Sequence, residues 1–177
     1  MGTVLGAMRN VRWHELQHAY GSASQVPVVL SRIAWGDAPN ADEALGDLGR
    51  WIGTPPVFDS TAATVPFLWE LAGTDTVRDR AGVLDLLATI LAAGNDGHPA
   101  WTRAAHDAVA AGRATAARLA EAPPRTASAP AGPSAPSVRG AAARLLNAID
   151  GHGCPACPSS VPAPAPAPAP SSAAREA

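Results

Sequence analysis

Val65-Pro66-Phe67-Leu68-Trp69-Glu70-Leu71-Ala72 is the stretch that decides the fold, because its parts recur in the chain. The Val-Pro pair stands also at Val26-Pro27, 39 residues earlier, and Leu84 with Leu87 repeats Leu45 with Leu48 at the same offset of 39. Two landmarks on separate segments sharing one offset are the mark of a tandem repeat. Val26, Val29, Leu30 and Ile33 map onto Val65, Leu68, Trp69 and Ala72, both sets at the i, i+3, i+4, i+7 spacing of one apolar helical face. A second stripe follows in each unit: Ala44, Leu45, Leu48, Trp51 and Ile52 in the first, Val77, Ala81, Leu84, Leu87, Ala88 and Leu91 in the second. Each unit therefore reads as a helical hairpin. Neither helix buries its stripe alone, and stacking the hairpins solves that problem.

Punctuation agrees with this reading. Ser24 and Ser60 suit N-caps, Pro27 and Pro66 suit first turns where a missing N–H costs little, and Gly36-Asp37 and Gly73-Thr74 break the chain between helices. A third unit is expected from Ala104, Ala105, Ala108 and Val109, on a helix running to Glu121, with Val138, Ala142, Leu145, Leu146 and Ile149 on its partner. The Pro-, Ala- and Ser-rich stretch between them, residues 122–136, reads as a disordered insertion. The alternating Ala-Pro run Val161–Pro170 reads as extended polyproline II in a tail. The expected organisation is a leading helix or cap at 1–23, repeats at 24–52, 60–94 and 98–150, and a disordered Pro/Ala-rich tail at 151–177. The fold class is all-α, an α-α solenoid.

The Val65–Ala72 segment, followed by Asp75, Val77, Arg78, Ala81 and Leu84, resembles the HEAT repeat, whose pattern places a Pro in the first helix and an Asp and then Val-Arg at the turn into the second; Ser137-Val138-Arg139 repeats the Val-Arg element. Trp13 to Ala23, Val26-Pro27 and His106 to Gly112 are similar to a group of HEAT-repeat proteins common in actinomycetes, over roughly residues 13–150. The resemblance implies an α-solenoid with a binding role and no catalytic residue. Members of that group tend to carry His-Gln-Gly between the first two units, where this chain has Gly53-Thr54-Pro55-Pro56.

Charge and composition narrow the role. The formal charge is −2 and all 13 basic residues are Arg, so the basic footprint of a nucleic-acid binder is lacking. Arg78, Arg80, Arg103, Arg113 and Arg118 could form a ridge, but Asp75, Asp79, Asp85 and Asp107 lie among them, the pattern of a solvated surface. The nearly apolar run Val83–Ala93 falls far below the roughly 20 residues that span a bilayer. The first twenty residues carry Arg9, Arg12, His14 and Glu15 rather than the apolar core of a signal peptide. The expectation is a cytoplasmic, non-catalytic scaffold that binds a protein partner of unknown identity through the face lined by the second helices. Homodimerisation is an alternative way to cover the last unit. Neither nucleic acid, membrane nor cofactor is expected.

Two constellations could carry chemistry. His14-Glu15-Leu16-Gln17-His18 is a literal H-E-x-x-H, in which a helix would bring His14 and His18 to one face as zinc ligands, with Glu15 as general base of a zinc-dependent hydrolase. Gly21 continues the longer form of that motif. Ser24, however, stands where its third His belongs, Met1 and Met8 leave no downstream Met-turn, and the thirteen residues before His14 leave no room for a substrate-binding sheet. Glu43 or Glu70 could be imagined as a third ligand, but no spacing points to either. The second constellation is His152-Gly-Cys154-Pro-Ala-Cys157, holding the only two cysteines. Structural zinc takes four protein ligands, and this segment offers three; two thiols in a flexible tail are the plainer expectation. Trp13, Trp35, Trp51, Trp69 and Trp101 could line a groove, but at helical spacing they read first as packing residues.

Overall fold

The computed structural model describes residues 6–122 and 137–157. Most of the 122–136 insertion and all of Val161–Pro170 lie outside the described residues. The protein is all-α, with seven α-helices among the described residues: α1 Val26–Trp35, α2 Ala38–Leu48, α3 Asp59–Gly73, α4 Arg80–Ala92, α5 Pro99–Ala111, α6 Arg113–Glu121 and α7 Val138–Asp150. None of them is long and apolar enough to cross a membrane.

The stripes Val26 to Ile33 and Val65 to Ala72 lie on α1 and α3, whereas of the second stripes Trp51 and Ile52 fall just past α2 and Val77 just before α4. α1 packs on α2 and α3 on α4. α3 lies between α1 and α5, while α4 packs against α7, which also covers α6. Leu30, Leu48, Leu68, Leu84, Leu87 and Leu145 are fully buried where these faces meet, and each contributes about 1.5–3 kcal/mol of transfer free energy. Side chains also close the helix starts: Asp79 accepts from the Gly82 N–H at 2.7 Å at α4, and Ser137 accepts from the Gly140 N–H at 3.0 Å at α7.

Four local expectations are corrected. Residues 1–23 do not supply a leading α-helix: the described part consists of single 3₁₀ turns at Gly6–Asn10 and Trp13–Glu15, then a two-rung antiparallel ladder in which β1 (Gln17–His18) pairs with β2 (Gly21–Ser22). The turn between them needs φ +129° at Gly21, which L side chains rarely adopt. Ser24 and Ser60 are not the caps; α1 starts after Gln25, and α3 starts one residue before Ser60, which is buried inside it. α3 thereby reaches Pro66 in its interior rather than its first turn, with the ring on an exposed face so that the lost donor leaves its carbonyl near water. Finally, the expected helix ending at Glu121 is two. Gly112 separates α5 from α6, and the Trp69 indole occupies the space that a Cβ there would take, so no larger residue fits.

Candidate metal centre

α5 begins at Pro99, a residue suited to a helix start, and carries an inward stripe of Thr102, Ala105, His106 and Val109, all buried. A histidine on such a stripe must satisfy both ring nitrogens. His106 Nε2 lies 2.8 Å from the carbonyl of Ala93, at the end of α4. A carbonyl can only accept, so Nε2 carries a proton, and in the neutral ring the lone pair is on Nδ1; a carbonyl in this position is the outer-shell partner that fixes a ligand's tautomer.

Three side chains from the segment after α7 meet that lone pair. α7 stops at Asp150, Gly151 donates back to Asn147, and the chain turns so that Cys157 N–H donates to the Cys154 carbonyl at 3.0 Å, closing a tight loop over Pro155 and Ala156. Arg103, one helical turn before His106 on α5, donates from Nε to the Ala156 carbonyl at 2.8 Å and seats the loop on the helix. His152 Nε2 then lies 3.0 Å from His106 Nδ1, with Cys154 Sγ at 3.5 Å and Cys157 Sγ at 3.4 Å from the same atom. The four donor atoms all fall within 4.8 Å of one another. Among the described residues, this is the grouping of three or more such side chains close enough to hold an ion.

The three spacings from His106 Nδ1 are close to those of one chemistry. Tetrahedral zinc with bonds of about 2.05 Å to nitrogen and 2.3 Å to sulfur puts two nitrogens about 3.3 Å apart and a nitrogen and a sulfur about 3.6 Å apart. The observed 3.0 Å and 3.4–3.5 Å lie within a few tenths of those values. Burial, with the neighbouring Cys154 and the Asp107 charge, pushes the Cys157 thiol up to about 11, against the opposing pull of Arg103. Burial first, then the neighbouring His106, lowers the His152 imidazole. A divalent cation reverses the balance for the thiols, since it binds and stabilises thiolates. A cavity of about 500 Å³ opens beside the site, bordered by Asn95, Asp96 and Thr102.

His152, Cys154 and Cys157 are thus three corners of a site whose fourth corner, His106, the sequence reading did not assign. The segment from Gly151 to Cys157 belongs to the ordered body rather than to a disordered tail. The one available signal was a histidine on the core-facing stripe of a helix, beside Ala105 and Val109, whereas the spacing of 46 residues to His152 carries no ligand pattern.

The H-E-x-x-H segment is not assembled. It lies on a 3₁₀ turn and a short strand, so the i, i+4 argument for one helical face does not apply. His14 is exposed beside Glu15, which pairs with Arg12 at 3.0 Å. His18 turns inward, stacks on Trp51 at 4.7 Å and accepts from the Tyr20 N–H at 3.1 Å through Nδ1. Glu43 pairs with Arg32 at 2.8 Å, and Glu70 is an exposed residue of α3 whose carboxyl partial burial raises. The suggested arginine ridge is dispersed as well. Arg80 is buried against the Ala72 carbonyl and Asp75, Arg113 pairs with Asp150, and Arg103 holds the Cys loop. Of the tryptophans, Trp13 and Trp69 are buried, while Trp35 is 67% exposed.

A scan against protein-family models, a search of the curated proteins and a search of the solved structures each found no match to this chain.

Proposed function

We propose that the chain is a non-catalytic helical interaction module of HEAT-like hairpins whose C-terminal end is fastened to its body by one zinc ion. The observation that carries the reading is the convergence of two imidazole nitrogens and two sulfurs within 4.8 Å. Two thiolates and two imidazoles as a donor set suit zinc over the oxygen-seeking magnesium and calcium. Four protein ligands leave no position for an activated water, and this favours a structural ion over a hydrolytic one. The ion joins α5 to a segment 46 residues further along, so its binding free energy is spent on closing that long loop.

The contacts of α3 with α1 and α5, and of α4 with α7, support a two-layer solenoid in which first helices stack on first helices. A binding role is supported not on the face of the second helices expected from the sequence but on the outer face of α1, a first helix, where Val28 and Trp35 stand exposed seven residues apart, with exposed Tyr20 nearby in sequence. The partner is a protein. The test is a cobalt(II) titration of the reduced chain: one equivalent giving thiolate-to-cobalt charge transfer with the intense visible bands of a tetrahedral ion, both displaced by zinc, supports the reading. Weak octahedral bands, or a spectrum unchanged in Cys154→Ser, contradict it.

A further inference from the structure

Resting on the zinc reading above, we propose that the same site is a peroxide-sensitive latch: oxidation of Cys154 and Cys157 to a disulfide expels the ion and releases the 152–157 segment from α5. The ligands are divided unevenly between two elements. Both sulfurs and His152 sit on one six-residue segment, and His106 is the ligand supplied by the helical body. A metal ion bonds the segment to the body, whereas a disulfide bonds the segment only to itself. After oxidation two imidazoles remain, half of what a structural site uses. Among the described residues, the hydrogen bonds then left between the segment and α5 are the Arg103 bond to the Ala156 carbonyl and the His152–His106 contact.

Access and proximity favour that outcome over other sulfur oxidation. Both cysteines are partly exposed while His106 is buried. The chain has two cysteines, three positions apart across one tight turn, so the nearest nucleophile to either oxidised sulfur is the other. The chemistry balances with an alkyl or hydrogen peroxide. One metal-held thiolate attacks the O–O bond, giving a sulfenic acid and an alkoxide or hydroxide that takes up a proton. The second thiolate attacks the sulfenic sulfur and displaces hydroxide, which is protonated to water. Two thiolates, one peroxide and two protons become a disulfide, an alcohol (or water) and a water. Sulfur loses two electrons, the peroxide gains them, and zinc leaves as an unchanged dication.

The experiment uses the zinc-loaded full chain. Bound zinc is measured first, then hydrogen peroxide is added with a chromogenic chelator present, and disulfide is counted by mass after alkylation. One zinc is expected per disulfide formed, together with loss of amide protection over 152–157, retained protection in α3 and α4, and recovery on adding a dithiol and zinc. Cys157→His, or Cys154→His as a second variant, keeps four ligands but only one sulfur, and is expected to hold zinc through the same treatment. Zinc retained by the oxidised wild type, zinc lost to sulfinic acid without a disulfide, or unaltered amide protection overturns the latch while leaving the zinc site standing. A chain that holds no zinc before peroxide is added overturns both.

Discussion

Replacing His106 by Gln separates the metal contribution to stability from the packing contribution. Gln can still donate to the Ala93 carbonyl that the imidazole reaches at 2.8 Å, so the metal-free protein is expected to lose no more than about 1 kcal/mol, the net worth of one imperfect hydrogen bond. What disappears is the ligand from the helical body. An ion that binds the folded chain alone stabilises it by RT ln(1 + [L]/Kd), or about 2.7 kcal/mol with free zinc at about a hundred times Kd. At about 4 °C per kcal/mol for a domain of this size, the wild type is expected to melt roughly 10 °C higher in buffered zinc than in chelator. Thermal melts followed by helical circular dichroism, on reduced wild type and on His106→Gln, provide the comparison. The variant should show a shift near zero and a chelator melt close to that of the wild type. An equal zinc-induced shift in both proteins would refute the reasoning, because it would mean that His106 does not hold the ion.

Other consequences follow from the packing. Burial keeps the His18 imidazole below its ordinary value, so as pH falls past about 6.5 the unfolded chain takes up a proton that the folded chain resists. Stability attached to His18 is therefore present above that pH and is lost on the way down to the folded value; in His18→Phe the difference in urea midpoint between pH 7.5 and 5.5 should shrink relative to wild type, with His152 and the surface groups, among them the neighbouring Asp59, common to both chains. Gly112→Ala drives a methyl group into the Trp69 indole and is expected to cost about 1–3 kcal/mol with a change in tryptophan emission; wild-type stability in urea would contradict the close approach. Leu84→Ala empties a fully buried position on α4 and should cost about 2–5 kcal/mol, so a loss well under 1 kcal/mol would remove it from the core.

Helices and hairpins were legible in the chain because the signal is periodic and local. The stripes Val26 to Ile33 and Val65 to Ala72 each lie within one helix, and the residues that make them apolar are the residues buried. Local signals failed where tertiary contact overrides them. Gly112, between α5 and α6, packs against a tryptophan on α3, and no pattern around residue 112 names that neighbour. Conversely, H-E-x-x-H is a helix-dependent motif on a segment that pairs as a strand, and His18 satisfies itself against Trp51 and the Tyr20 N–H instead. The candidate site was legible only as three residues of a segment expected to be a tail, and the reason is physical. His152, Cys154 and Cys157 lie within six residues and offer three donors, but the fourth candidate donor, His106, comes from a helix that is near only after α7 has folded back. A buried histidine on the inward stripe of α5 was the remaining clue, and burial is a property of the fold.

The most direct test of the account is the zinc bound per chain after purification without chelator, determined by elemental analysis for wild type, Cys154→Ser with Cys157→Ser, and His14→Ala. About one zinc per chain in wild type and in His14→Ala, with none in the double cysteine variant, is the predicted result. Metal-free wild type, or zinc that persists without the two cysteines and leaves with His14, would contradict it.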